Sequence, residues 1–250
     1  MSASISDSRQ EATITEIIKT NANSNFYLTY KSTETWPNKR DGYCRILILD
    51  SSFNPPTRAH ANLLHKSIQT YPLGHFDALL LLLSTKNADK QLTGATIVQR
   101  VQMMELMAAR YPNSAVGLTP HAKFVDKAAH IQAWLPDTRL ELYFIMGYDT
   151  IVRLLDPKYY MPRPVMEVLG PFLNTCHIIC ADRGEGEEQK AFWDKLKLGT
   201  CSIRRIQLDP AFTTLSSTMA RTRIMQGQSV LDVLDPDIAQ FVQDHHIYSQ

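Results

Sequence analysis

Thr57 and His60 stand three residues apart, just behind an Asn54-Pro55-Pro56 turn that ends the apolar run "RILILD" at residues 45–50. Proline lacks an N–H and fixes φ, so the run cannot continue as a strand through that turn. Thr57 then suits a helix cap. His60 falls at the third helical position, among N–H groups that have no partner inside the helix. A helix start carries roughly half a positive charge and free donors, which suits an anion such as a phosphate, and an imidazole there can donate to a phosphate oxygen. The same spacing also serves a capped helix with an incidental histidine. A second group lies in "LSSTMARTR", residues 215–223, where two serines and Thr218 open a helix and Arg221 follows Ser217 by one turn. Hydroxyls, unpartnered N–H groups and a guanidinium at one helix end make another phosphate seat, although alone this is a common capping pattern. The third is "IMGYDT". Gly147 lets backbone approach a ligand closely and Asp149 can accept from ribose hydroxyls; an aspartate-capped turn between strand and helix is the plainer alternative.

The elements that must position these groups alternate. Residues 45–50, 76–84, 139–147, 175–183 and 201–209 read as strands, with a short one at "AVGLT". Their near-continuous Ile and Leu content suits strands covered on both faces. "ANLLHKSIQTY", "TIVQRVQMMELMAARY" and "VDKAAHIQAWLP" show helical periodicity, and the C-terminal 35 or so residues read as two helices broken near Gly227 and Asp235-Pro236. The methionines of the second helix read as core filler. Strand and helix alternation predicts an α/β domain with a doubly wound, mostly parallel sheet from residue 42 onward, closed by C-terminal helices. Residues 1–41 are polar and read as an N-terminal extension with a short helix, "EATITEIIKT", and an edge strand, "FYLTYKS". In such a sheet, helix starts behind the first and last strands can converge on one polyphosphate.

Composition narrows the function further. The chain has 250 residues, 26 basic against 25 acidic, for a net charge of +1. That balance argues against a broad nucleic-acid footprint but not against a local anion pocket. No apolar leader opens the chain, and the longest purely apolar run, residues 78–83, is too short to span a bilayer, so no membrane association is expected. Cys44, Cys176, Cys180 and Cys201 show no zinc-ribbon spacing and read as reduced thiols of an intracellular protein, cytoplasmic or nuclear, with no structural metal. No G-x-x-x-x-G-K-[ST], G-x-G-x-x-G or G-x-S-x-G occurs where it would be needed, which disfavours P-loop, dinucleotide-binding dehydrogenase and esterase chemistry.

S-F-N-P-P-T-R-A-H resembles the G-x-F-N-P-x-[TH]-x-x-H signature of the nucleotidylyltransferase superfamily, and L-S-S-T-M-A-R resembles its I-S-S-T-x-x-R signature. With Gly147-Tyr148-Asp149 between them, these are similar to nicotinamide mononucleotide adenylyltransferases, in a divergent fungal branch. The resemblance covers about residues 45–249. It implies a Rossmann-like nucleotidylyltransferase domain over residues 42–250. It also implies transfer of AMP from ATP, with Mg2+, to nicotinamide mononucleotide, giving NAD and pyrophosphate. By matching position, His60 and Arg221 are the expected catalytic groups. Thr57, His60, Gly147, Asp149, Thr218, Met219, Ala220 and Arg221 are expected at ATP, and Ser52, Phe53, Lys90, Tyr160 and Arg183 at the mononucleotide. Tyr159 is the alternative to Tyr160 as the ring stacked on the pyridine. Three departures stand out: Ser51 and Ala59 replace family glycines, and Met219 replaces a frequent lysine. Slower turnover or a shifted substrate choice would follow from these. Other acceptors (nicotinate mononucleotide or phosphopantetheine), a weakly ATP-hydrolysing regulatory role and assembly into homo-oligomers stay open.

Overall fold

The computed structural model describes residues 2–40, 42–86, 94–182, 187–196 and 203–249. Seven strands form one sheet: β1 (Tyr27–Lys31), β2 (Tyr43–Asp50), β3 (Ala78–Ser84), β4 (Ser114–Thr119), β5 (Arg139–Gly147), β6 (Cys176–Asp182) and β7 (Ile203–Gln207). Their spatial order is β1-β4-β3-β2-β5-β6-β7. All pairs are parallel except β1 with β4, which is antiparallel at the sheet edge. Strand order therefore runs outward in both directions from the β2–β5 pair, the doubly wound arrangement with its reversal point there. Cys201 lies outside the described residues, and the described part of the last strand begins at Ile203.

Alternation along β2 shows why the sheet is covered on both faces. Leu47 and Leu49 join one core cluster and Ile46 and Ile48 the other, all 3% exposed or less. The first cluster lies under α1 (Ser2–Thr20), α2 (Arg58–Gln69), α3 (Ile97–Ala108), α8 (Ser217–Met225) and α9 (Pro236–Asp244). The second lies under α4 (Phe124–Trp134), α5 (Tyr148–Leu154) and α6 (Val165–Thr175); α7 (Glu187–Lys195) brings Phe192 and Trp193 to its margin. Each fully buried Leu, Ile or Phe contributes about 1.5–3 kcal/mol of transfer free energy. Two full layers of such side chains hold the strand ends in fixed relative positions.

Helix α1 is longer than the periodicity of "EATITEIIKT" predicts, because polar residues from Ser2 continue it upstream of the apolar face. Ile14 is buried in the core, and Gln10 Nε2 donates to Glu105 Oε2 on α3 at 2.6 Å. Gly117 in β4 allows the close approach of Phe26, whose ring would lie 2.8 Å from a Cβ at that position. Among the described residues no helix is long and apolar enough to cross a membrane.

Glu105 is a buried carboxyl with an amide as its hydrogen-bonding neighbour. Burial raises its pKa from the ordinary 4.5 to about 7, and the bond from Gln10 pulls it partly back. The folded protein holds that proton longer than the unfolded chain, so the contribution of Glu105 is full below about 4.5 and is lost as pH rises through about 7. Glu105→Gln is expected to raise the melting temperature at pH 8, with the gain shrinking as pH falls towards 5. Thermal melts across that range check it, and a gain independent of pH would assign the ionised carboxylate no cost.

Candidate functional site

β2 ends at Asp50 and β5 at Gly147, side by side at the point where strand order reverses. A crevice opens there as two adjoining cavities of about 260 and 440 Å³, whose walls share Asp50, Ser51, Thr150 and Arg153. Thr57, His60, Gly147, Asp149, Ser216 and Ser217 line the smaller one. Helix starts from distant parts of the sequence therefore face one space.

His60 is fixed by its own helix cap. The Thr57 backbone N–H donates to Nδ1 at 3.0 Å, so Nδ1 is the acceptor and the ring proton sits on Nε2. Nε2 in turn lies 3.0 Å from Ser51 Oγ, to which it donates. The serine standing in place of the expected glycine thus occupies the donor that the sequence assigns to a phosphate. Phe53, fully buried, packs its ring 5.4 Å from the imidazole.

The turn behind His60 takes hydrogen bonds from five residues outside it. Arg100, 2% exposed, donates through Nε to Ala95 O at 2.9 Å and through Nη1 to Ser52 O at 3.3 Å. The Asn54 side-chain oxygen accepts from Ala95 N–H at 3.2 Å and from the Tyr248 hydroxyl at 2.8 Å. Arg221 Nη1 donates to Asn54 O at 2.7 Å, and Ser217 Oγ to Pro55 O at 2.8 Å. These bonds compensate a backbone that Phe53 takes into the left-handed region, φ 43°. Gly94, at φ 85°, sits so close that a Cβ would lie 2.9 Å from Asn54 Oδ1. Burial pulls the Arg100 pKa below its ordinary value, and the nearby Arg221 adds to that shift.

The sequence-predicted residues divide accordingly. Thr57, His60, Gly147 and Asp149 come together on the smaller cavity, and Ser52 and Tyr160 on the larger. Phe53 and Ala220 are core, and Met219 packs against the core while its N–H donates to Ser216 Oγ at 3.1 Å. Thr218 is exposed and accepts from Arg221 Nη2 at 3.1 Å. Arg221 clamps the turn with Thr218 beside it, and neither residue lines either of these two cavities. Lys90 and Arg183 lie outside the described residues. Tyr160 is 7% exposed with its hydroxyl donated to Leu154 O at 2.7 Å, whereas Tyr159 is half-buried.

Gly147 has an ordinary extended φ of −80°, and a Cβ there would meet nothing within 4 Å. The fold itself therefore does not demand glycine at this wall of the crevice. The larger cavity adds residues that sequence reasoning missed: Lys86, Lys123, Phe124, Lys127 and Arg153. Lys127 is 4% exposed and ion-paired with Asp50, whose side chain is 8% exposed. A lysine on the apolar face of "VDKAAHIQAW", between Phe124 and Ala128–Ile131, was the available signal; Arg100 between Ile97 and Val101 was another. Among the described residues no group of three or more His, Cys, Asp or Glu could hold a metal ion.

Residues 48–223 match the cytidylyltransferase-like family, and the chain belongs to it. A Schizosaccharomyces pombe protein provisionally named nicotinamide mononucleotide adenylyltransferase is 37% identical over 158 residues, which is 61% of this chain and 60% of that relative. A Lachnoclostridium phytofermentans protein, provisionally named nicotinate-nucleotide adenylyltransferase, is 26% identical over 82% of this chain and 98% of its own length. Among solved structures, the Plasmodium falciparum nicotinic acid mononucleotide adenylyltransferase complexed with NaAD shares the fold with a TM-score of 0.60, at 18% identity over 82% of this chain and 97% of its own.

Tyr248 ties the distant C-terminal segment to the turn through one hydroxyl. Tyr248→Phe deletes that donor and is expected to cost about 1 kcal/mol, because Asn54 Oδ1 keeps the Ala95 N–H. The urea midpoint should fall with an unchanged slope; equal stability would remove the hydroxyl from the support of the turn.

Proposed function

We propose that this protein transfers AMP from ATP to nicotinamide mononucleotide, giving NAD and pyrophosphate. One observation carries the reading: a cavity with a helix-start imidazole and serine hydroxyls meets an aromatic, cation-lined cavity at Asp50–Ser51. ATP in the first and a pyridine mononucleotide in the second would bring the two phosphates together beside Ser51, Thr150 and Arg153, with the pyridine ring turned towards Asp50. The relatives are named as adenylyltransferases of nicotinamide, nicotinate or nicotinic acid nucleotides, which supports a pyridine mononucleotide as acceptor.

The reaction needs no protein nucleophile. A mononucleotide phosphate oxygen forms a bond to the α-phosphorus of ATP while the bond to the bridging oxygen breaks, and pyrophosphate leaves in line. The chain's task is to position both phosphates and to stabilise charge. His60 Nε2–H exchanges Ser51 Oγ for a phosphate oxygen when ATP binds, its direction already set by the Thr57 amide. Ser216 and Ser217 bring the α8 start to the same space. Arg221 acts through the turn it clamps, by fixing Asn54. Magnesium belongs to the ATP substrate, held by phosphate oxygens and water as this hard cation prefers. Lys86, Lys123 and Arg153 are exposed at the wall of the larger cavity, a placement that serves the mononucleotide phosphate.

His60→Ala is expected to lower kcat about a hundredfold or more without loss of fold, the usual cost of one donor aimed at developing charge. Coupled NAD formation with purified protein measures it, and near-normal turnover would remove His60 from the reaction. Gly147→Ala should leave the melting temperature within about 1 °C while raising KM for ATP, since the added methyl enters the crevice and touches no protein atom within 4 Å. An unchanged KM would place the nucleotide elsewhere. For the reaction as a whole, pyrophosphate release should depend on added mononucleotide; release from ATP alone at the same rate defeats the proposal.

A further inference from the structure

The Asp50–Lys127 pair lies on the wall of the larger cavity, where the sheet end meets α4. Lys127 Nζ stands 5.0 Å from the centroid of the Phe124 ring, and Tyr159 and Tyr160 complete an aromatic enclosure. A buried ion pair is seldom kept for stability, because desolvation offsets most of its attraction. Its value here is chemical. It presents a donor and an acceptor side by side: an ammonium with three N–H groups, one of them on Asp50 Oδ2, and a carboxylate with two oxygens. We infer that this pair reads the 3-substituent of the pyridine and selects a carboxamide over a carboxylate. The inference rests on the adenylyl-transfer reading of the same site.

A primary carboxamide carries an acceptor oxygen and donor N–H groups on one edge, so it matches both partners at once: oxygen to Lys127, N–H to Asp50. The pyridinium charge of the mononucleotide is also attracted to Asp50. A carboxylate has no donor for Asp50 and would face it as a like charge. Lys127 gives it no net advantage, because Asp50 already neutralises that ammonium. The other cations at this cavity, Lys86, Lys123 and Arg153, are exposed; Lys123 Nζ donates to Tyr159 O at 3.0 Å. The residues that bear on the ring's substituent are therefore the buried ones.

The test compares kcat/KM for nicotinamide and nicotinate mononucleotides, with calorimetric binding of each to the ATP-free protein as a second readout. Wild type is expected to favour the amide by about tenfold or more, the scale for one hydrogen bond to a charged group. Asp50→Asn should shrink that preference about tenfold or more, chiefly by improving the acid. Should Asp50→Asn fail to fold, the double variant Asp50→Asn/Lys127→Gln removes both charges together and should also lose the preference. An amide preference untouched in a folded variant, or a wild type that favours the acid, overturns the inference while leaving AMP transfer intact. Absence of transfer to either mononucleotide overturns the proposed function, and the binding preference then still judges the pair.

Discussion

Asn54 is the point on which the site depends. Its side-chain oxygen and its carbonyl together take three hydrogen bonds, from the α3 approach, the C-terminal segment and the α8 guanidinium. A turn that puts Phe53 in the left-handed region and two prolines in succession has few internal bonds of its own. External donors must supply what the backbone lacks. Once they do, Thr57 is placed at the head of α2, its amide fixes the His60 tautomer, and the imidazole faces the crevice. Loss of any one donor loosens the whole series, because each later position inherits the geometry of the one before it.

The sheet supplies the other half of the arrangement. Reversal of strand order between β2 and β5 leaves a gap at their carboxyl ends, bordered among the described residues by the two cavities. Charges placed in that gap are costly unless paired, and the two buried cations among the described residues are treated differently. Arg100 donates to one carbonyl at the turn, Ser52 O, and to one at the approach to α3, Ala95 O, and acts as a brace between them. Lys127 has a carboxylate partner and borders open volume. Similar burial thus accompanies two distinct uses, separated by whether a cavity lies beside the group.

Much of this was legible in the sequence. The doubly wound parallel sheet followed from continuous apolar runs alternating with 3.6-residue periodicity. The two helix starts followed from Thr57 behind prolines and from Ser216–Ser217, and both line one cavity. The partners of the clamp were harder to see. Arg221 was expected at the triphosphate; that its guanidinium also holds Asn54 O, 167 residues away, could not be read, because no local pattern encodes so distant a bond. Lys127 and Arg100 hid in amphipathic stretches, where a long cationic side chain ordinarily reaches out to water. Ser51 was visible only as a departure; its bond to His60, nine positions on, depends on the residues between folding into a turn and a capped helix.

The bond between Asn54 and Tyr248 spans 194 positions. On a ribosome adding about 5–20 residues per second, Asn54 is made roughly 10–40 s before the tyrosine that completes its surroundings. During that interval the sheet can assemble around β2, β3, β4 and β5, yet the crevice mouth lacks one of its fasteners. Nascent protein therefore cannot make this bond until Tyr248 has left the ribosome, so the last fastener of the turn is also the last to be synthesised.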